Sequence, residues 1–129
     1  MIRIGPAGCP VRPTLRGVEE THKLGLDALE LEFVKGIYLK EDHARKVGEV
    51  ASKLGIELSV HAPYWINLAS PKHVERSRYF IRRSAEIGRL ASAKVVVFHA
   101  AYYQKHSKSR CYLIVRREVE KLMDEVKGI

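Results

Sequence analysis

Leu58-Ser-Val-His-Ala-Pro-Tyr-Trp-Ile-Asn-Leu-Ala-Ser70 is the stretch that decides how this chain is read. The apolar run from Ile56 to Val60 is a strand signal, and it stops on His61. Pro63 then forces a turn, and Tyr64 and Trp65 follow on a loop where no packing rule demands large aromatics. Ser70-Pro71 is expected to open a helix, with serine as N-cap and proline at the first helical position. His61 is therefore placed at the carboxyl end of a strand, beside an aromatic loop.

The arrangement recurs one unit later. Lys94-Val-Val-Val-Phe-His99 has the composition of a buried parallel strand, ends on a second histidine and is followed by Tyr102 and Tyr103. Neighbouring parallel strands lie roughly 5 Å apart. Both imidazoles are then within reach of one metal ion, whose bonds to nitrogen are about 2 Å. Taken alone, a histidine at a strand end is more often a hydrogen-bonded structural residue than a ligand; two at matching depth bring the two readings level.

Working outward, Met1 to Gly5 reads as a short first strand, followed by a turn-rich loop from Gly5 to Pro13. Thr14 is expected to cap a first helix that ends at Lys23-Leu-Gly25. Ala28 to Val34 is the second strand, with Leu29, Leu31 and Phe33 facing one way and Glu30 and Glu32 the other. Those acids are either carboxylates that orient a ligand histidine or partners of basic side chains within the sheet. The second helix, Glu41 to Leu54, ends on Lys53-Leu-Gly-Ile56, a repeat of Lys23-Leu-Gly-Leu26 at a period of about 30 residues. A third helix from Pro71 to about Ala91 precedes the strand that ends at His99. Gln104 to Arg110 reads as a polar, basic loop, and Tyr112 to Val126 as a last amphipathic helix. The fold class is thus α/β, with four consecutive βα units and a parallel sheet. That is equivalent to the first half of a (β/α)8 TIM barrel, or to a free-standing sheet of four strands. In both, ligands bind beyond the carboxyl ends of the strands, where His61 and His99 fall.

The 129 residues, 46% of them hydrophobic, fit a single domain over 1–129 with its own core. No apolar run approaches the roughly 20 residues of a membrane span, and the N-terminus lacks the apolar stretch of a signal peptide, so no membrane partner and a cytoplasmic location are expected. Cys9 and Cys111 show no metal or redox spacing and are read as ordinary thiols. Lysine and arginine outnumber aspartate and glutamate 23 to 15, a formal charge of +8 that favours an anionic partner or simply marks a charged surface. Lys105, Lys108 and Arg110 are candidate phosphate contacts, with a solvated basic loop as the equal alternative. His22, His43, His73 and His106 are assigned to the surface.

From His61-Ala-Pro-Tyr-Trp-Ile-Asn-Leu-Ala-Ser70 through Val97-Phe-His99, and more loosely at Leu29-Glu-Leu-Glu-Phe-Val34, the sequence resembles the endonuclease IV family of apurinic/apyrimidinic endonucleases, members of the xylose-isomerase-like barrel group. The resemblance implies zinc at His61 and His99, within a multinuclear cluster that hydrolyses the phosphodiester 5′ to an abasic site. It also implies a DNA-binding loop carrying Tyr64 and Trp65, for which packing into the core is the alternative. Two departures stand out. His99 is followed by Ala100-Ala101 where the family has Pro-Gly, and the family's remaining metal ligands come from later strands of its barrel. The chain is therefore expected to be inactive alone, as an N-terminal half that needs a C-terminal half or a second copy of itself. Two other readings remain open: a metal-dependent sugar isomerase or epimerase of the same barrel group, and a non-catalytic half-barrel that binds nucleic acid or itself.

Overall fold

The computed structural model describes residues 2–126. Its elements run α1 (Thr14–Lys23), β1 (Ala28–Glu32), α2 (Glu41–Leu54), β2 (Glu57–His61), α3 (Val74–Leu90), β3 (Val95–Val97) and α4 (Lys108–Glu125). The three strands form one parallel sheet in the order β1-β2-β3. The register pairs Glu30 with Ser59 and Glu32 with His61, then His61 with Val97. This is an α/β arrangement with the architecture of part of a TIM barrel.

Period-two alternation decides which face is covered. Leu29, Leu31 and Phe33 on β1 and its extension, and Leu58 and Val60 on β2, are buried beneath the helices. They pack with Val18 of α1, Ala44, Val47 and Ala51 of α2, and Ile87 of α3. A smaller cluster under α3 and α4 joins Ile66 and Leu68 from the loop after β2 to Ile81 and Leu122. The other sheet face carries Glu30, Glu32, Ser59 and His61, with Val95 and Val97 at 51% and 40% exposure. Two valines left in water on a sheet face mark the surface that a closed barrel would turn inward.

The repeated Lys-Leu-Gly signal holds: both glycines, Gly25 and Gly55, take left-handed conformations with φ of 73° and 71° just beyond their helices. Other expected boundaries move. The expected first strand does not form a ladder; Ile4 and Pro6 carbonyls accept from the Asp27, Ala28 and Glu30 amides, and only Ala7 bridges Glu30. Pro6 has no amide to donate, and Ile2 and Ile4 stay exposed, with no strand on their far side among the described residues. Close approach still governs the segment, since a Cβ on Gly5 would stand 1.6 Å from the Ala28 carbonyl oxygen. Met1 lies outside the described residues.

Thr14 is the first residue of α1 and not its cap; Pro13 occupies that position. Ser70 does not cap α3 either. Its carbonyl accepts from the His73 and Val74 amides, so Pro71 and Lys72 form a turn and the helix starts at Val74. The last helix begins earlier than expected because the Ser107 side chain accepts from the Arg110 amide, which draws Lys108 and Arg110 out of the loop into the first helical turn. Between the last two helices, Arg78 bonds Glu125 at 2.6 Å and Arg82 bonds it at 2.7 Å, with the largely buried Glu118 3.8 Å from Arg78.

Candidate functional site

Strands β2 and β3 bring their two histidines together as the spacing implied. The ring centres of His61 and His99 are 5.1 Å apart, and the Tyr64 ring stands edge-on to both, at 5.0 Å and 5.4 Å. His61 is buried, His99 and Tyr64 exposed. The His61 Nδ1 lies 2.8 Å from the Ala62 carbonyl oxygen. A carbonyl only accepts, so Nδ1 is the donor and, in the neutral ring, Nε2 carries the lone pair.

Two imidazoles on one tetrahedral ion, with bonds of about 2 Å, would set their ring centres about 5 Å apart. The observed spacing suits two positions of such a site. The ligand count does not: among the described residues no group of three or more histidines, cysteines or acids is placed to hold a metal. Catalytic zinc takes three protein ligands, so these residues do not make a metal site by themselves.

The loops that carry the cluster are stitched together by a residue the sequence reading passed over. Asn67 is 5% exposed. Its Oδ1 accepts from the Ala69 amide at 3.1 Å and the Tyr102 amide at 3.3 Å, while its own backbone N–H donates to Ser77 Oγ at 3.0 Å. The Leu68 amide donates to the Ala100 carbonyl, and the Tyr102 hydroxyl to the Tyr64 carbonyl. His106, expected on the surface, is half-buried, with Nε2 3.2 Å from the Ala69 carbonyl oxygen. His22, His43 and His73 are exposed. An asparagine four residues before a proline, in an apolar run, is the signal that such a clamp leaves in sequence.

The other candidates separate. Trp65 is half-buried, edge-on to Phe80 at 4.6 Å, with the Arg76 guanidinium over its ring at 4.4 Å. Its faces belong to the contact between the loop and α3. Lys105, Lys108 and Arg110 are exposed. Glu30 accepts weakly from Ser59 Oγ at 3.5 Å, and no ion pair involves Glu30 or Glu32 among the described residues. Glu32 instead faces a cleft of about 550 Å³ at the carboxyl end of β1, between the Ala7–Arg12 loop and the segment from Val34 to Tyr38. Burial pushes the Cys9 thiol and the Tyr38 phenol up, against the Thr14 hydroxyl and the Arg12 charge, which pull both down. Both groups therefore stay protonated at neutral pH.

The profile of the xylose isomerase-like TIM barrel family matches residues 18–128. The chain belongs to that family. As a xylose isomerase-like chain it is 35% identical, over 133 residues, to an uncharacterized protein of Methanocaldococcus jannaschii, a match that takes in all of this chain and 48% of that protein. It thus spans about half the length of the curated relative it matches. Among solved xylose isomerase-like folds it is similar to an L-ribulose 3-epimerase, with a TM-score of 0.76 at 13% identity over 98% of this chain and 46% of that one. A D-psicose 3-epimerase from Clostridium cellulolyticum H10, crystallised with D-tagatose, aligns with a TM-score of 0.73 at 16% identity over 91% and 44%. At these identities the likeness is one of fold. The family match is to the broad group and does not single out its endonuclease IV branch. No helix among the described residues is long and apolar enough to cross a membrane.

Proposed function

We propose that this chain supplies the N-terminal half of a sugar isomerase or epimerase site, with Glu32, His61, His99 and Tyr64 facing a small polyol. The observation that carries the reading is the inner sheet face itself. It sets unpaired carboxylates, a free imidazole lone pair and a cleft of about 550 Å³ side by side at the carboxyl ends of adjacent strands. Such groups accept hydrogen bonds from sugar hydroxyls, and the named barrel neighbours act on ketoses. The reaction class is removal of a proton from the carbon beside a carbonyl and its return, with no net oxidation. Glu32 and His61 Nε2 are the groups here able to hold that proton. Zinc finds two imidazoles and no third ligand among the described residues, so no step depends on it here.

The endonuclease IV reading stands second, on the exposed Tyr64 and the exposed Lys105, Lys108 and Arg110 with the charge of +8. It is weakened by Trp65, whose ring is taken up by Phe80 and Arg76, and by the pairing of Arg78, Arg82 and Arg83 with acids on the outer helices. One titration separates the two. With the imidazole and tyrosine ring protons followed by NMR, ketoses are expected to move His61, His99 and Tyr64, and a duplex carrying an abasic site is not. Salt-dependent binding of that duplex with movement of Tyr64, and silence toward every ketose, would reverse the order.

A further inference from the structure

The cleft beside Glu32 carries more charge than a neutral sugar calls for. Two cations, Arg12 and Lys35, line it together with Cys9, Thr14, Glu32 and Tyr38. Neither cation has an acidic partner within 4 Å among the described residues. Arg12 stands over the Tyr38 ring, 5.4 Å from its centre, so the two side chains share one wall of the cleft. Thr14, buried, shares the lining with Cys9 and Tyr38, and the protonated phenol is a further donor.

We propose that this cleft takes the phosphate of a phosphorylated ketose, with Arg12 and Lys35 as the anion clamp and Tyr38 as a neutral donor. The assignment rests on the sugar reading above and narrows its substrate class. The lining is net positive, two cations against the Glu32 carboxylate, and a phosphate monoester, with about −1.5 to −2 of charge at neutral pH and three acceptor oxygens, engages both cations at once. Distance agrees. Glu32 is level with His61 on the next strand, and His61 with Val97 on the one after, so the cleft and the imidazole pair are separated by one to two strand spacings of about 5 Å. A phosphate seated at Arg12 lays its sugar over Glu32 toward His61. Glu32 itself then meets hydroxyls and not the anion.

The test compares a ketopentose with its 5-phosphate, and both with inorganic phosphate, by calorimetry and by the Tyr38 ring signals, in the unaltered chain and in Arg12→Gln and Lys35→Gln. Both positions are exposed, so the fold is retained. The phosphorylated sugar is expected to bind about tenfold or more tighter than the neutral one, the scale of a charge-assisted contact. Either substitution removes most of that advantage and leaves the neutral sugar unchanged. Equal binding of the two sugars, or equal weakening of both by Arg12→Gln, overturns the phosphate assignment and leaves the sugar reading standing. Inorganic phosphate that moves Tyr38 only when Arg12 is present, with no response to either sugar, overturns the sugar reading and leaves an anion cleft.

Discussion

Replacing Asn67 by alanine tests whether the two loops at the site are held by one side chain. The substitution removes the acceptor of two backbone amides. Ala69 is 1% exposed, so its N–H loses its partner out of reach of water, at a cost of about 1–3 kcal/mol. Tyr102 is 54% exposed, and its amide is rehydrated for about 0.5–1 kcal/mol. The sum, about 1.5–4 kcal/mol, is a large share of the 5–15 kcal/mol that typically separates folded from unfolded domains. Urea unfolding should show that loss in the midpoint at an unchanged slope. Hydrogen exchange should show Ala69 and Tyr102 amides exposed while β1 and β2 stay protected. Asn67→Asp, which keeps an acceptor in place, should destabilise less than alanine. A loss under about 0.5 kcal/mol, or unchanged protection at both amides, would refute the clamp.

Four further outcomes are expected. Gly48→Ala gains about 1 kcal/mol of helix propensity but puts a Cβ 2.7 Å from the Ala91 carbonyl oxygen; overpacking against backbone costs about 1–3 kcal/mol, so a net loss in thermal unfolding is predicted. The hydrogen bond from Arg78, followed by that from Arg82, holds the Glu125 carboxyl below its ordinary range. Its contribution is complete above the unfolded value of about 4.3 and lost as pH falls through the lower folded value, so the stability gap between the natural chain and Glu125→Gln should close below about pH 4. Trp65→Ala should cost roughly 2–3 kcal/mol, somewhat less than a fully buried tryptophan, and a variant as stable as the parent would return Trp65 to the role of a free, exposed ring. Removal of divalent ions with a chelator should leave the melting temperature unchanged, since the two core clusters are built from apolar packing and include neither His61 nor His99; a fall of several degrees, absent in a His61→Ala/His99→Ala double variant, would mean that the pair anchors a structural ion.

The sheet was legible wherever one face of a strand is covered. Leu29, Leu31, Phe33, Leu58 and Val60 announce their common side by alternation, while the helix between each pair of strands makes the sheet parallel and brings the strand-end histidines, His61 and His99, together. Signals failed where local chemistry and tertiary contact disagree. Basic Lys108 and Arg110 at the start of a helix oppose its dipole, so the segment reads as loop, yet Ser107 caps it and the packing of α4 on α3 holds it. Trp65 follows a turn and reads as exposed; its partners Arg76 and Phe80 are on α3, invisible to local pattern. The Arg12, Lys35 and Tyr38 cleft was missed for a related reason, since it joins two loops that no periodicity marks.

The bond from His61 Nδ1 to the carbonyl of the very next residue, Ala62, has a consequence for how such barrels diversify. Orientation of that ring is encoded within a dipeptide at the end of β2, and so it travels with this segment through any duplication or recombination that gives it a different second half. A new partner meets a ring whose Nδ1 is already committed to that carbonyl and has only to supply what faces Nε2. Chemistry on this scaffold can therefore change by exchanging the opposite wall, with the imidazole kept as a fixed part.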